Sequence, residues 1–132
     1  MTLDARWAGD MRFEVAGRSD RPVLLDGDGE EGLTPMEALA ASASGCMAID
    51  VVDILSRMRI PPRTLDVRFE GDRQADPPRR YTAIRFVYRI TGLSESDRPR
   101  VDRAVALSRN KYCSVLHTLQ ADLDISIRVE LD

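Results

Sequence analysis

Few residues in this chain can do covalent chemistry: two cysteines, Cys46 and Cys113, and a single histidine, His117. Cys46 follows Ala40-Ala41-Ser42-Ala43-Ser44-Gly45, a row of small side chains. Such a row lets another backbone, or a substrate, come close to the thiol. The bland alternative is inert packing, because free cysteine behaves as a small hydrophobe. A cysteine reacts as its thiolate, and an apolar site disfavours that form unless a cation stands near. Arg6, Arg12, Arg18 and Arg21 are candidates for that cation, though any one of them is more simply a surface arginine.

Cys113 precedes a short helix expected from about Ser114 to Ala121, where backbone N–H groups and the helix dipole favour an anion. Lys111 adds positive charge nearby. His117 lies at i+4 from Cys113, which suggests a Cys–His nucleophile or half of a metal site. A zinc site would need Cys46 and a carboxylate as well, and no CxxC or HxxxH spacing supports one. Neither metal nor cofactor is therefore expected, and His117 is read as an ordinary half-buried residue. Asp50, Asp53 and Arg57 share a helical stripe, with Asp53 and Arg57 at ion-pair spacing. No phosphate-binding glycine loop or dinucleotide fingerprint is present.

The element that must position Cys46 is a helix expected over Thr34–Arg59. Thr34 is its N-cap, Pro35 its first residue, and Glu37 stands at capping-box spacing. Apolar or small residues fall on nearly every face, so the helix should be buried almost all round. Its longest uncharged run, Ala38 to Ile49, is too short for a bilayer span. Before it, residues 2–7, 11–15 and 23–25 read as short strands, the first a half-buried partner in a hairpin. The Gly- and acid-rich loop from Asp26 to Gly32 lacks calcium-loop spacing and reads as a solvated connection.

After Pro61-Pro62, alternation at Leu65–Phe69 and Ile84–Ile90 gives two strands, expected to pair antiparallel. Their arginines should face water opposite acidic cross-strand partners. A helix follows over Ser94–Ser108, interrupted at Asn110-Lys111-Tyr112, and the alternating residues Ile125–Leu131 close the chain as a strand. This order gives an α+β fold, an antiparallel sheet around a long central helix, in a single domain over residues 1–132. So few elements cannot cover so apolar a helix, which points to an intertwined homodimer.

A net charge of −3 gives no electrostatic footprint for nucleic acid or an anionic membrane. The N-terminus has no signal-peptide pattern, and two cysteines without framework spacing fit reduced thiols in the cytoplasm.

The segment TPMEALAASASGCMAIDVVDIL, with LSRNKYCSVLHTL and YRITGL, resembles the OsmC/Ohr family of bacterial thiol peroxidases. It is most similar to the branch with GC-AIDVV and KYCSV motifs. The resemblance implies an intertwined α+β dimer with its active sites at the interface. It implies that Cys46 attacks an organic hydroperoxide and that Cys113 resolves the sulfenic acid to a disulfide. A dithiol reductant such as a lipoylated protein would recycle it, in an oxidative-stress role. Family members hold an activating arginine with a Pro-Glu pair, whereas here Met36 separates Pro35 from Glu37. One position turns a side chain about 100° around a helix. Arg12, Arg18 and Glu37 are the candidate activating residues. The alternative is a non-enzymatic dimeric carrier or redox sensor that binds a hydrophobic ligand.

Overall fold

The computed structural model describes residues 1–132, which divide into two units, residues 1–41 and 42–132. In the first unit, β1 (Asp4–Trp7), β2 (Arg12–Ala16) and β3 (Val23–Asp26) form an antiparallel sheet in that order. The hairpin turn at Gly9-Asp10 puts both residues at positive φ, a conformation cheap for Gly and tolerated by Asp. β1 is exposed along its whole length rather than half-buried. Its strand is held by the ladder to β2, whose register pairs Asp4 with Ala16 and Trp7 with Phe13.

The loop after β3 is organised by one side chain. Asp26 is buried, and its carboxylate accepts the backbone N–H groups of Asp28, Glu30 and Glu31. Those three bonds hold it ionised below the usual carboxylate range, the Glu31 N–H contributing most. The acidic loop is thus wrapped around its own first aspartate.

Helix α1 (Pro35–Arg57) begins in the first unit and continues into the second. Its start follows the sequence expectation. Glu37 accepts both the backbone N–H and the hydroxyl of Thr34, at 2.8 and 2.9 Å, and the Glu37 N–H returns to Thr34 Oγ1. The expectation of burial all round is corrected: only Ala43, Met47, Val51 and Leu55 are buried, an i+4 stripe. On another face Ile49 is 71% exposed and Val52 39%. The helix is long and apolar enough to cross a membrane by composition. Its buried stripe instead packs among strand and helix residues, as in the core helix of a soluble protein.

In the second unit, β4 (Thr64–Arg73), β5 (Tyr81–Thr91) and β6 (Asp124–Leu131) form a sheet with β5 in the middle. The central position explains why Ile84, Phe86, Tyr88 and Ile90 are the sheet's most buried residues. β4 and β5 pair antiparallel as expected, with Glu70 opposite Arg85 and an Arg85–Asp72 ion pair at 2.8 Å. β6 departs from the expectation of antiparallel pairing. It runs parallel to β5, so the sheet is mixed. Parallel neighbours need a crossover, supplied by α2 (Arg98–Leu107), a π-type turn over Ser108–Tyr112 and α3 (Ser114–Thr118). The α+β class stands, and the crossover delivers Cys113 to the core.

Candidate functional site

Helix periodicity places the site's first two groups. Cys46 and Asp50 are one turn apart on α1 and therefore share a face. Both are half-buried, and Gly45 beside the thiol leaves open space, since a Cβ there would meet nothing within 4 Å. The crossover brings the third group. Cys113 ends the π-type turn, where its N–H donates to the Ser108 carbonyl at 2.8 Å, and caps α3 with its sulfur 3.5 Å from the Leu116 N–H. It is wholly buried.

These elements converge on one cluster. The sulfurs of Cys46 and Cys113 and a carboxylate oxygen of Asp50 all lie within 4.8 Å of one another. The pairing is within one chain. Ser108, also fully buried, donates its hydroxyl to Asp50 Oδ2 at 2.9 Å and fixes that carboxylate. Tyr88, at the centre of β5, is 0% exposed, and its hydroxyl has no hydrogen-bond partner. The charges that act on it are those of Cys113, Asp50 and Cys46.

Burial favours the protonated, neutral forms of Cys113 and Tyr88. Burial pushes the Cys113 thiol up to about 11, with the Leu116 N–H opposing and Cys46 adding to the rise. Burial likewise pushes the Tyr88 phenol above its ordinary value. Cys113 is therefore held as a thiol at neutral pH. Cys46 is the more accessible of the two sulfurs. A cleft of about 500 Å³ adjoins Asp50, walled by Ile54, Met58, Leu107 and Tyr112. That size lies in the range of pockets for small ligands.

The other residues singled out in the sequence lie elsewhere. His117 is turned to backbone: Nδ1 lies 2.8 Å from the Cys113 carbonyl oxygen and Nε2 3.2 Å from that of Asn110. The idea of a Cys–His pair is thus corrected; the imidazole braces the turn that carries Cys113. Asp53 pairs with Arg57 at 3.0 Å, as its spacing predicts. Arg12, Arg18 and Glu37 belong to the unit of residues 1–41. There Arg12 bridges Asp10 and Glu31, each at 2.6 Å, and its guanidinium is held charged chiefly by Glu31. Arg18 follows β2 at an exposed position. Sequence reasoning took Asp50 as structural and did not single out Ser108 or Tyr88. For Asp50, the i+4 spacing from Cys46 was the available signal.

The sequence model of OsmC-like proteins matches residues 27–128, a span that includes both cysteines, Asp50, Tyr88 and Ser108. The chain belongs to the OsmC family. Among its OsmC relatives is protein YhfA of Escherichia coli K12, 34% identical over 132 residues, 99% of this chain and 98% of YhfA. A crystal structure of a hypothetical protein from Aquifex aeolicus superposes with a TM-score of 0.83 at 28% identity, over 99% of this chain and 96% of that one. The fold is also that of an organic hydroperoxide resistance protein OsmC from Legionella pneumophila, with TM-score 0.70, 20% identity and coverage of 98% and 97%. The OsmC fold thus frames the two cysteines.

Proposed function

We propose that this chain is a thiol-dependent peroxidase that reduces organic hydroperoxides, with Cys46 peroxidatic and Cys113 resolving. The observation that carries this reading is the approach of the two sulfurs to within 4.8 Å inside one chain, one half-exposed and the other buried. The steps follow from that asymmetry. The Cys46 thiolate attacks the peroxide, the O–O bond breaks, and the distal oxygen becomes Cys46 sulfenic acid while an alcohol leaves. The Cys113 sulfur then attacks the sulfenic sulfur, forming the S–S bond and expelling water. A disulfide needs an S–S separation of about 2.05 Å, so the two sulfurs, within 4.8 Å of each other in the reduced chain, would have to close on bonding. A dithiol reductant, such as a lipoylated protein, restores both thiols by exchange.

The cleft beside Asp50, with Ile54, Met58 and Leu107 on its walls, suits the apolar body of an organic hydroperoxide. The Legionella neighbour named for organic hydroperoxide resistance supports this substrate class by its name, and the fold is shared. Arg12, Arg18 and Glu37 are the proposed activating residues, and recycling by cellular dithiols would suit a protein of the cytoplasm. The same cleft, whose walls mix Ile54, Met58 and Leu107 with Asp53 and Arg57, favours a second reading, a carrier or redox sensor that binds a hydrophobic ligand without turnover. Stopped-flow consumption of cumene hydroperoxide with dihydrolipoamide separates the two. The peroxidase turns over and Cys46→Ser does not; a carrier gives no turnover in either.

A further inference from the structure

We propose that Cys46, Asp50 and Cys113 also form a binding site for one thiophilic divalent cation of the zinc class. The three donor atoms belong to two different segments, a helix turn and the end of a crossover, yet lie within 4.8 Å of one another. On a tetrahedral zinc, with Zn–S near 2.3 Å and Zn–O near 2.0–2.2 Å, ligand atoms sit about 3.5–3.8 Å apart. The cluster needs only a small inward adjustment to meet that geometry. Two sulfurs and one carboxylate select a soft or borderline cation over calcium or magnesium, which take oxygen shells.

Two further features point to a ligand in the cluster. The Asp50 carboxylate is oriented by the Ser108 hydroxyl at 2.9 Å, the kind of outer-shell hydrogen bond that metal-binding carboxylates carry. That bond uses Oδ2 and leaves Oδ1 available. The Tyr88 hydroxyl, wholly buried and without a hydrogen-bond partner, feels the charges of the same three residues. Buried hydroxyls are nearly always hydrogen-bonded, so an unpartnered one beside a cluster of donors calls for a ligand. No electrons move on binding. The two thiols release their protons to solvent and bind as thiolates, so three negative charges meet two positive ones.

This inference does not depend on peroxide turnover, although a bound cation and a disulfide exclude each other because they use the same sulfurs. The test uses the reduced full-length protein under argon, without peroxide. One equivalent of Cd²⁺ should give a thiolate-to-metal charge-transfer band in the near ultraviolet that saturates at one ion per chain, and Zn²⁺ should displace it. Ser108→Ala and Asp50→Asn should each weaken Zn²⁺ at least about tenfold in chelator competition, while Cys46→Ser removes the band. Circular dichroism checks the fold of each variant. Should Cys46→Ser unfold, wild type alkylated at Cys46 takes its place. A band that fails to saturate at one ion, that survives loss of the Cys46 thiol, or that is indifferent to Asp50→Asn and Ser108→Ala overturns the site. Zinc binding with no peroxidase activity would leave this site standing and remove the proposed enzyme; the reverse pattern would do the opposite.

Discussion

At the residue scale, the division of labour between the cysteines follows from burial. Cys113 is enclosed and held as a thiol by desolvation, with its value near 11, so at neutral pH it waits for an electrophile to arrive beside it. Cys46 is only half-buried, so in the proposed reaction it is the one that meets the oxidant first. Removing the resolver should therefore leave the first oxidation intact and expose the product. In Cys113→Ser, excess hydroperoxide is expected to carry Cys46 past the sulfenic acid to the sulfinic acid. Intact-mass measurement reads this as a gain of two oxygens; a Cys46 that stays reduced in this variant would show that Cys113 initiates the reaction.

At the element scale, α1 combines a local instruction with a tertiary one. Its capping box is local and legible from Thr34, Pro35 and Glu37, and the structure forms it as written. Its one mid-helix glycine is not explained by propensity. Gly in a helix interior costs about 0.5–1 kcal/mol relative to Ala, and within the chain a Cβ at Gly45 would meet nothing. Gly45 shares the stripe of Ile49 and Val52 on α1, so with a second copy on that face Gly45→Ala should lower thermal stability. A rise by about the propensity gain would show that nothing outside the chain packs there. The loop after β3 gives a pH prediction. Asp26 is depressed in the fold by three N–H donors, so it stabilises the native state above its ordinary value near 4. That contribution is lost as pH falls through the lowered value. Asp26→Asn should lower stability at pH 7 and flatten its loss in acid titrations followed by circular dichroism.

The strands are legible because Leu65–Phe69 and Ile125–Leu131 alternate strictly and Ile84–Ile90 does so apart from the buried Val87, and their register carries the expected Arg–acid pairs at Glu70–Arg85 and Glu130–Arg89. Strand direction was not legible, since alternation reads the same both ways; only the crossover through α2 and α3 makes β6 parallel. The site was half legible for a similar reason. Cys46 and Asp50 announce a shared face by spacing, whereas Ser108 and Tyr88 enter the cluster from segments far away in sequence. His117 is an ordinary residue, as expected, though exposed rather than half-buried, and its i+4 spacing from Cys113 forms no Cys–His pair. The chain takes a π-type turn up to Tyr112 and restarts at Ser114, so the ring meets the carbonyls of Asn110 and Cys113.

At the scale of the whole molecule, the exposed face of α1 is the outstanding feature. Ile49 and Val52, with Ala48 and Leu65, line an open apolar groove of about 490 Å³ on one chain. Leaving such residues in water forfeits about 25 cal/mol per Å² of apolar surface, and a second copy is the occupant we propose. Light scattering at micromolar concentration should return twice the 14.8 kDa chain mass. Val52→Asp, which puts a charge in the groove, should shift the protein toward monomer. A wild type that scatters as a single chain would dismiss the dimer.

The central claim is that Cys46 and Cys113 of one chain act as a peroxide-oxidised pair, and disulfide mapping tests it most directly. Reduced protein receives one equivalent of organic hydroperoxide, is alkylated, and is digested for peptide mass analysis. The account predicts loss of both free thiols together, a Cys46–Cys113 crosslink, an intact mass lower by two hydrogens, and no covalent dimer on a non-reducing gel. Cys46 left free while Cys113 is oxidised, or both thiols still free after the peroxide is added, would contradict it.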